Sequence, residues 1–176
     1  MKEYYINTHE LKSFCNKLYA GDKVYLSGTV YTSRDAAHKR IFELIKNKEA
    51  LPYPIHNSVI YYAGPTPTPN DMVIGSCGPT TSSRMDSFTP RLHDMGLVAT
   101  IGKGERNQEV IDSIIKNQAV YLCAIGGAGA LAAKSIVSNR VIAFDDLGCE
   151  SVKELEFNNF PLIVGIDCNG GNIFKR

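Results

Sequence analysis

Basic and hydroxyl-bearing side chains recur at three points of this sequence. Arg34 and Asp35 follow one apolar run, the stretch Thr80 to Arg84 follows a Gly-Pro pair, and Lys103 follows another apolar run. An arginine guanidinium matches a carboxylate with two parallel hydrogen bonds, whereas a lysine ammonium acts as a point charge. Two arginines and a lysine in one place would suit a doubly anionic ligand, with Arg34 and Arg84 as its carboxylate clamps.

Each of these residues also has an ordinary interpretation. Arg34 can be a solvated residue in the first turn of a helix, Ser82 can cap a helix, and Lys103 can be loop surface. His38 lies one turn after Arg34 and is by default a surface or boundary histidine. The occurrence of all of them in one chain favours the binding interpretation over the ordinary one.

The elements that would position these groups begin with a helix and a strand. Thr8 is predicted to cap a helix that Gly21-Asp22 ends, and Lys23 to Tyr31 predicts a strand. Thr32 to Asp35 matches the capping box [ST]-x-x-[DE] and predicts a helix through about Lys48. Arg34 and Asp35 are therefore expected in the first turn of that helix.

The middle of the chain predicts further strands. SVIYYAG (58–64) and MVIGSC (72–77) read as the second and third strands, with the proline-rich stretch 65–70 as a loop between them. Gly78-Pro79 ends the third, and the following polar residues lead into a helix past Thr89-Pro90. LVATIG (97–102) predicts a fourth strand, which ends just before Lys103.

The last third of the chain adds a helix and four candidate strands. Val110, Ile111, Ile114 and Ile115 share one helix face, and AVYLCAI, RVIAF, VKELEF and PLIVGID each predict a strand. The pattern favours a single α/β domain over residues 1–176 with a mixed, partly curled sheet. Ligands of α/β sheets bind beyond the carboxyl ends of strands, so we expect the three basic groups to meet at one rim.

The overall charge excludes some partners. The chain has 19 Lys and Arg against 18 Asp and Glu, and 44% of its 176 residues are hydrophobic. Such a balance gives no field that would draw the chain to nucleic acid or to an anionic membrane. No stretch approaches the roughly 20 apolar residues of a membrane span, and no apolar signal-peptide core is seen near Met1. We expect a soluble, cytoplasmic protein.

The five cysteines, Cys15, Cys77, Cys123, Cys149 and Cys168, are scattered without a C-x-x-C pair. An odd, dispersed set argues against a disulfide framework and against an iron–sulfur ligand run. We expect reduced thiols, and we expect this chain to bind no metal by itself.

A glycine pattern raises a different possibility. Residues 127–132 match G-x-G-x-x-A after a predicted strand, and Asp145 ends the next one. This is a pattern of dinucleotide sites, but it lies late in the chain, and the helix after it has room for only about eight residues. Tight packing of small residues, or close approach of backbone to an anion, explains the glycines equally well.

Three segments together resemble a known family. GTVYTSRDAAHKR (28–40), GPTTSSRMDSFTPRL (78–92) and IGKG (101–104) are similar to signatures of the class I fumarase C-terminal domain and the L-tartrate dehydratase beta subunit. Their order and spacing agree from about residue 20 to the PLIVGID run. The resemblance implies a swivelling β/β/α fold and a hydro-lyase that adds water to fumarate to give L-malate.

The same resemblance implies a cofactor and a partner. A [4Fe–4S] cluster, whose open iron can act as a Lewis acid, would be held by an alpha subunit and not by this chain. A hetero-oligomer with a possible homodimer contact is expected. The residues that match substrate contacts of the family are Arg34, Thr80, Thr81, Arg84 and Lys103.

The resemblance also points to Asp35 and His38 as catalytic or supporting groups. A weakly acidic C–H proton must be moved during hydration, and fixed cations must stabilise the charge that develops. Our hypothesis is that Thr80 is the base. Alternatively, Thr80 and Thr81 only bind a carboxylate while His38, Asp35 or a partner residue moves the proton.

Two rival functions and one change of substrate stay open at this point. The chain can be the beta subunit of an L-tartrate dehydratase, which keeps the mechanism and changes the substrate. It can be a non-catalytic scaffold that binds a dicarboxylate. A nucleotide-dependent oxidoreductase, which rests on the glycines alone, is the third possibility.

Overall fold

The computed structural model describes residues 1–175, and within that range the chain forms seven β-strands and five α-helices. The strands are β1 (Glu3–Asn7), β2 (Lys23–Thr32), β3 (Val59–Tyr61), β4 (Ala99–Gly102), β5 (Val120–Cys123), β6 (Ile136–Ala143) and β7 (Val152–Ile166). The helices are α1 (Leu11–Phe14), α2 (Asp35–Asn47), α3 (Thr89–Asp94), α4 (Gln108–Asn117) and α5 (Gly129–Ala133). Short 3-10 helices cover Cys15–Lys17, Ser82–Met85 and Asp145–Glu150.

The sheet curls until it closes on itself. Strands β1 to β5 lie side by side and parallel, and β7 pairs antiparallel with β5, β6 and β2. Because β2 pairs with both β3 and β7, the strands β2, β3, β4, β5 and β7 form a small closed barrel, while β1 and β6 extend from it. The prediction of an α/β fold with a mixed, partly curled sheet is confirmed.

Alternation along the strands divides the core into an inside and an outside. Val59 and Tyr61 of β3 belong to the cluster of apolar side chains that fills the barrel, whereas Ile60 between them packs with Ala37 and Ile41 of α2. Successive strand residues point to opposite faces, so one strand serves both layers. Burying a side chain such as Ile41 contributes about 1.5–3 kcal/mol. The helices therefore cover the outer face of the barrel.

Two predicted strands are one strand in the structure. VKELEF and PLIVGID both belong to β7, which spans 15 residues and includes Pro161. Proline has no N–H to donate, so a proline inside an apolar run predicts a break in the strand. The register nevertheless continues through Pro161, which lies opposite Tyr25 of β2. The strand survives because the lost donor affects a single position of a long ladder.

The predicted strand at residues 72–77 is wrong. Its backbone bonds to the preceding loop instead of to the sheet: the Thr66 N–H donates to the Ser76 carbonyl (3.0 Å), and the Ser76 N–H donates to the Thr66 hydroxyl (2.9 Å). Since β3 pairs directly with β4, no place is left for a strand between them. Ile74 and Cys77 are nevertheless buried, which explains the apolar pattern.

Both predicted helix caps are also wrong. The helix after Thr8 starts at Leu11 with no side-chain cap, and it is preceded by the strand β1, which the sequence did not predict. Helix α2 begins at Asp35 with Arg34 as its uncapped N-cap residue. The hydroxyl of Thr32 instead lies 3.3 Å from the Ser151 carbonyl, and that of Ser33 lies 2.9 Å from the Tyr53 hydroxyl. These hydroxyls serve tertiary contacts instead of the helix.

No helix in the part of the chain that the structure describes is long and apolar enough to cross a membrane.

Candidate functional site

The carboxyl ends of four parallel strands lie at one edge of the barrel. Arg34 follows β2, Tyr62 follows β3, Lys103 follows β4, and Gly126 follows β5 by three residues. Because neighbouring parallel strands end at the same edge, the loops that carry these residues are adjacent there. The rest of the site is built on this edge.

The segment Thr80 to Arg84 is held against two of these strand ends. The Thr80 N–H donates to the carbonyl oxygen of Tyr62 (2.6 Å). The next two residues pair with the loop after β4, since Thr81 forms a parallel bridge with Lys103 and the Ser82 N–H donates to the Lys103 carbonyl (2.9 Å). The threonines and Lys103 are therefore neighbours although about 20 residues separate them in sequence.

Asp35 and Arg84 form a two-point ion pair. The Nη2 of Arg84 lies 2.9 Å from Oδ2 of Asp35, and its Nε donates to Oδ1 at 3.1 Å. Asp35 is the first residue of α2, so this pair joins the end of β2 to the 3-10 helix at 82–85. About half of the Arg84 side chain stays exposed, which leaves part of the guanidinium edge accessible.

Arg34 lies in a tight cradle. A Cβ atom on Gly64 would come within 2.7 Å of the Arg34 Nη1 and 3.2 Å of the Cys149 carbonyl oxygen, so only glycine leaves room for the guanidinium. Its Nε is buried without a hydrogen-bond partner among residues 1–175, and the Oε1 of Glu150 lies 3.7 Å away. The sequence pointed to neither Gly64 nor Glu150.

His38 is buried under Arg34 and does not face solvent. Its Nδ1 lies 2.8 Å from the carbonyl oxygen of Arg34, and its ring stacks on Phe88 with centroids 5.2 Å apart. A carbonyl oxygen only accepts, so Nδ1 carries the proton and donates it. Burial lowers the pKa of His38 to about 4 against the opposing effect of this hydrogen bond, and the ring is therefore neutral near pH 7.

Lys103 lies across the glycines that follow β5. A Cβ atom on Gly126 would meet the Lys103 side chain at 3.3 Å from Cδ and 3.8 Å from Nζ. In residues 1–175, Lys103 takes part in no ion pair, although its side chain is exposed. The absence of a side chain on Gly126 thus leaves space for the Lys103 side chain. The sequence alone did not indicate this contact.

Helix α5 after the glycines does not build a dinucleotide site. It has five residues, and the strand after it, β6, runs antiparallel to β7 at the edge of the sheet. The G-x-G-x-x-A fingerprint works in a unit whose helix leads into a parallel strand of the same sheet. The glycines here pack against the segment before Thr80, where the Cys77 N–H donates to the Gly129 carbonyl at 3.1 Å.

The described residues do not fit a metal cluster of their own. Within residues 1–175, no group of three or more His, Cys, Asp or Glu side chains is placed to hold a metal ion. Burial raises the pKa of Cys15 and of Cys77 to about 12, so neither offers a thiolate at neutral pH.

The electrostatics of this edge favour an anion. Three cationic side chains face two carboxylates there, and the charged residues are Arg34, Arg84, Lys103, Asp35 and Glu150. The hydroxyls of Thr80 and Thr81 form no hydrogen bond within the described part of the chain, and both residues are at least partly exposed. Unpaired hydroxyls beside cations can bind carboxylate oxygens.

Comparison with known proteins identifies the family of the chain. The family model described as "Fumarase C-terminus" matches residues 1–176. Fumarate hydratase 2 of Leishmania major is 40% identical over 158 residues, which is 89% of this chain but only 28% of that protein. The chain therefore spans less than a third of that relative.

Shorter relatives match over most of their length. A protein of Methanocaldococcus jannaschii, provisionally named L(+)-tartrate dehydratase subunit beta, is 41% identical over 171 residues, which cover 94% of this chain and 88% of that protein. The L(+)-tartrate dehydratase subunit beta of Escherichia coli is 35% identical over 163 residues, which cover 89% and 79%. With a family model that matches its whole length, the chain belongs to the fumarase C-terminus family.

Proposed function

We propose that this chain is the beta-type half of an iron–sulfur hydro-lyase that reversibly adds water to fumarate to give L-malate. The observation that carries the proposal is the meeting of Arg34, Arg84 and Lys103, from three separate segments, at one edge of the barrel. A short dicarboxylate is the ligand that such a set suits, because each end of it can be matched by a cation. Relatives named fumarate hydratase and tartrate dehydratase support this class of reaction.

In this proposal, Arg34 and Arg84 orient the substrate. The buried Nε of Arg34 lacks a hydrogen-bond partner within residues 1–175, and half of Arg84 is exposed beside its ion pair with Asp35. Each guanidinium can present a fork to one carboxylate, and the hydroxyl of Thr81 can add a further hydrogen bond. Two such clamps hold the carbon that loses or gains a proton at a fixed place.

The proton transfer is assigned to Thr80. Its backbone is fixed by the 2.6 Å hydrogen bond to Tyr62, and the half-buried residue lies in the segment that pairs with Lys103. Threonine is a weak base unless nearby cations stabilise its alkoxide, and Lys103 and Arg84 are the available cations. Asp35 holds Arg84 in this arrangement and is the next candidate for moving the proton.

His38 receives a positioning role in the proposal. It is neutral, fully buried and bonded through Nδ1 to the Arg34 carbonyl. A group in that environment has no path to a substrate proton, but it fixes the backbone from which the Arg34 side chain extends. We therefore propose that His38 supports Arg34 and leaves the proton transfer to Thr80 or Asp35.

The cluster and the other half of the site are assigned to a partner. Since the described residues of this chain do not fit a cluster, we propose that an alpha subunit holds the [4Fe–4S] group. Residues 1–176 would then act as one domain of the swivelling β/β/α type that moves over this partner in a hetero-oligomer, with a possible homodimer contact. The two arginines, Lys103 and the two threonines are what this chain contributes to the shared site.

Two other functions remain as alternatives. Dehydration of L-tartrate uses the same clamp, and the two relatives that this chain matches over most of their length carry tartrate dehydratase names. A non-catalytic dicarboxylate-binding scaffold is the other alternative, although binding alone would not need the whole set of Arg34, Thr80, Arg84 and Lys103. The preference among fumarate, tartrate and a methylated analogue depends on the pocket walls, which the partner would share.

The test is anaerobic co-expression with the candidate alpha subunit, followed by cluster reconstitution. Fumarate–malate interconversion and L-tartrate dehydration are then measured by absorbance. Turnover that needs both chains and falls about 10³-fold or more in Arg84→Ala supports the proposal, with the substrate deciding between the two names. A stable complex with an intact cluster and no turnover of either substrate would instead favour the scaffold.

A further inference from the structure

Arg106 is a fully buried arginine that the proposed mechanism does not use. Its side chain is 0% exposed, and its Nε donates to Oδ1 of Asp86 at 2.6 Å. Its Nη2 donates to the Thr89 hydroxyl (2.7 Å) and its Nη1 to the Thr100 hydroxyl (3.2 Å). All three nitrogens of the guanidinium therefore have a protein partner, and the buried group is not accessible to a ligand.

Aromatic rings enclose the same guanidinium. Its central carbon lies 5.4 Å from the ring centroid of Tyr62 and 5.0 Å from that of Tyr121. Tyr62 is the residue whose carbonyl holds the Thr80 N–H. The Tyr121 hydroxyl lies 2.9 Å from both the Ser82 hydroxyl and the Gly104 carbonyl oxygen. Both tyrosines thus contact segments of the candidate site.

The ion pair connects these segments directly. Asp86 lies two residues after Arg84, and Arg106 lies three residues after Lys103. Oδ2 of Asp86 also accepts from the Asn107 N–H at 2.8 Å, so both oxygens of one carboxylate hold the loop that carries Lys103. This buried pair therefore joins the Arg84 and Lys103 segments through side chains, in addition to the backbone contacts of Thr81 and Ser82 with Lys103.

Stability alone does not account for such a pair. Replacing a buried ion pair by apolar side chains of similar volume is often neutral or stabilising, because desolvation offsets the attraction between the charges. What the pair adds is geometry, since a planar guanidinium with three engaged nitrogens fixes its partners in direction as well as in distance.

We propose that Arg106 is a positioning residue of the hydro-lyase reaction, which fixes the spacing between the Thr80–Arg84 segment and Lys103. This inference rests on the proposed function. Arg106 itself contacts no substrate, and it acts through the placement of two substrate-binding cations. A displacement of about 1 Å in such groups can lower turnover about 10²-fold.

The test replaces the pair without leaving a lone buried charge. Arg106→Met combined with Asp86→Leu is compared with Arg140→Met combined with Glu154→Leu, which removes a surface ion pair of 2.8 Å between β6 and β7. We expect the first double variant to bind the alpha subunit but to lose about 30- to 300-fold in kcat/KM, mainly in kcat. The surface variant should stay within about threefold of the wild type.

A second measurement separates positioning from general loosening. In a Lys103→Met background the Arg106→Met/Asp86→Leu change should lower kcat/KM by less than about threefold, because the spacing between Arg84 and Lys103 no longer matters once the Lys103 cation is absent. The proposal would be overturned if the losses in kcat/KM from Lys103→Met and from Arg106→Met/Asp86→Leu multiplied in full in the combined variant. It would also be overturned if Arg106→Met/Asp86→Leu alone kept kcat/KM within about threefold of the wild type. If the double variant does not fold, Arg106→Lys serves, because lysine keeps the charge but reaches at most one of the threonine hydroxyls.

A third readout does not depend on any substrate. Hydrogen exchange at the Ser82 amide, which donates to Lys103, should accelerate about tenfold or more in the double variant of the full chain, while exchange at Leu122 in β5 stays unchanged. Unchanged exchange at Ser82 would contradict the positioning role. Absence of turnover in the wild-type complex, by contrast, counts against the proposed function and leaves this readout to decide on Arg106.

Discussion

The carboxylate of Asp35 holds the guanidinium of Arg84 at two points, with contacts of 2.9 and 3.1 Å, across 49 residues of sequence. The pair joins the start of α2 to the segment that carries the threonines. The pair restrains the orientation of the guanidinium, and about half of the Arg84 side chain stays exposed. A ligand carboxylate would then meet a fork that is already oriented, which lowers the entropic cost of binding.

Arg84→Lys should lower kcat/KM of the reconstituted enzyme by about 10- to 100-fold, although the charge is kept, because lysine cannot contact Asp35 and a substrate carboxylate through one planar group. Steady-state kinetics on fumarate and on L-tartrate would measure the loss. Arg91→Lys, at an exposed position of α3, is the matched control and should change kcat/KM less than about twofold. Equal effects of the two changes would exclude a specific role of Arg84.

Thr80→Val should lower kcat about 100-fold or more with less than about a threefold change in KM, because a general base contributes about 10²–10⁴ to the rate. Thr81→Val, which removes only a hydrogen bond to substrate, should mainly raise KM. The comparison of kcat with KM in the two variants distinguishes the two roles. Full turnover of Thr80→Val with a raised KM would leave Thr80 a binding role only and move the proton transfer to Asp35 or the partner.

Gly64→Ala should weaken substrate binding by displacing Arg34. The added Cβ would come within 2.7 Å of the Arg34 Nη1, and the nearby Cys149 carbonyl prevents the backbone from yielding. We expect KM to rise about tenfold with little loss of thermal stability. In Gly78→Ala the added Cβ has its nearest contact at 3.5 Å, so this control should behave as wild type. A normal KM in Gly64→Ala would show that Arg34 can bind substrate from another position.

Local patterns in the sequence predicted the alternation of strands and helices around β2–α2 and β4–α4. Their apolar residues follow strand and helix periods closely. The same reasoning failed at residues 72–77, because Ile74 and Cys77 are apolar for burial and not for strand pairing. It missed β1 because a strand of five residues bounded by Glu3 and Asn7 has too little alternation to be recognised.

His38 predicts a dependence of stability on pH. Burial lowers its pKa to about 4, whereas an unfolded histidine titrates near 6.5. Below about pH 6.5, therefore, His38 is protonated in the unfolded chain and stays neutral in the folded chain. The free energy of unfolding should fall by up to about 1.4 kcal/mol per pH unit from this residue as the pH drops toward about 4. Above about pH 6.5 its contribution is constant.

The measurement is chemical denaturation between about pH 7.5 and about pH 4. His38→Asn retains a donor for the Arg34 carbonyl and cannot titrate. The slope of its free energy of unfolding against pH should therefore be smaller than that of the wild type, by the amount that corresponds to about one proton. Identical slopes for wild type and His38→Asn would indicate that His38 is already protonated in the folded chain.

Residue type, position after predicted strands and the family resemblance together indicated the candidate cations Arg34, Arg84 and Lys103. They did not predict the residues that shape the space around them. Gly64, Gly126 and Glu150 matter only through contacts with residues about 20 to 120 positions away, and the closure of the barrel sets those contacts. Arg106 was missed for the same reason, because the sequence does not show whether an arginine is buried or exposed.

Strand β7 is the last of the described strands to leave the ribosome, and the barrel cannot close without it. Its ladder with β2 joins residues about 120 to 140 positions apart, for example Tyr31 with Glu154 and Lys23 with Ile163. Contacts so distant in sequence form late and slow the folding of a chain. A nascent chain that stopped before Val152 would hold every proposed substrate-binding residue and an open sheet with unpaired edges. Premature termination should therefore yield aggregation instead of partial activity.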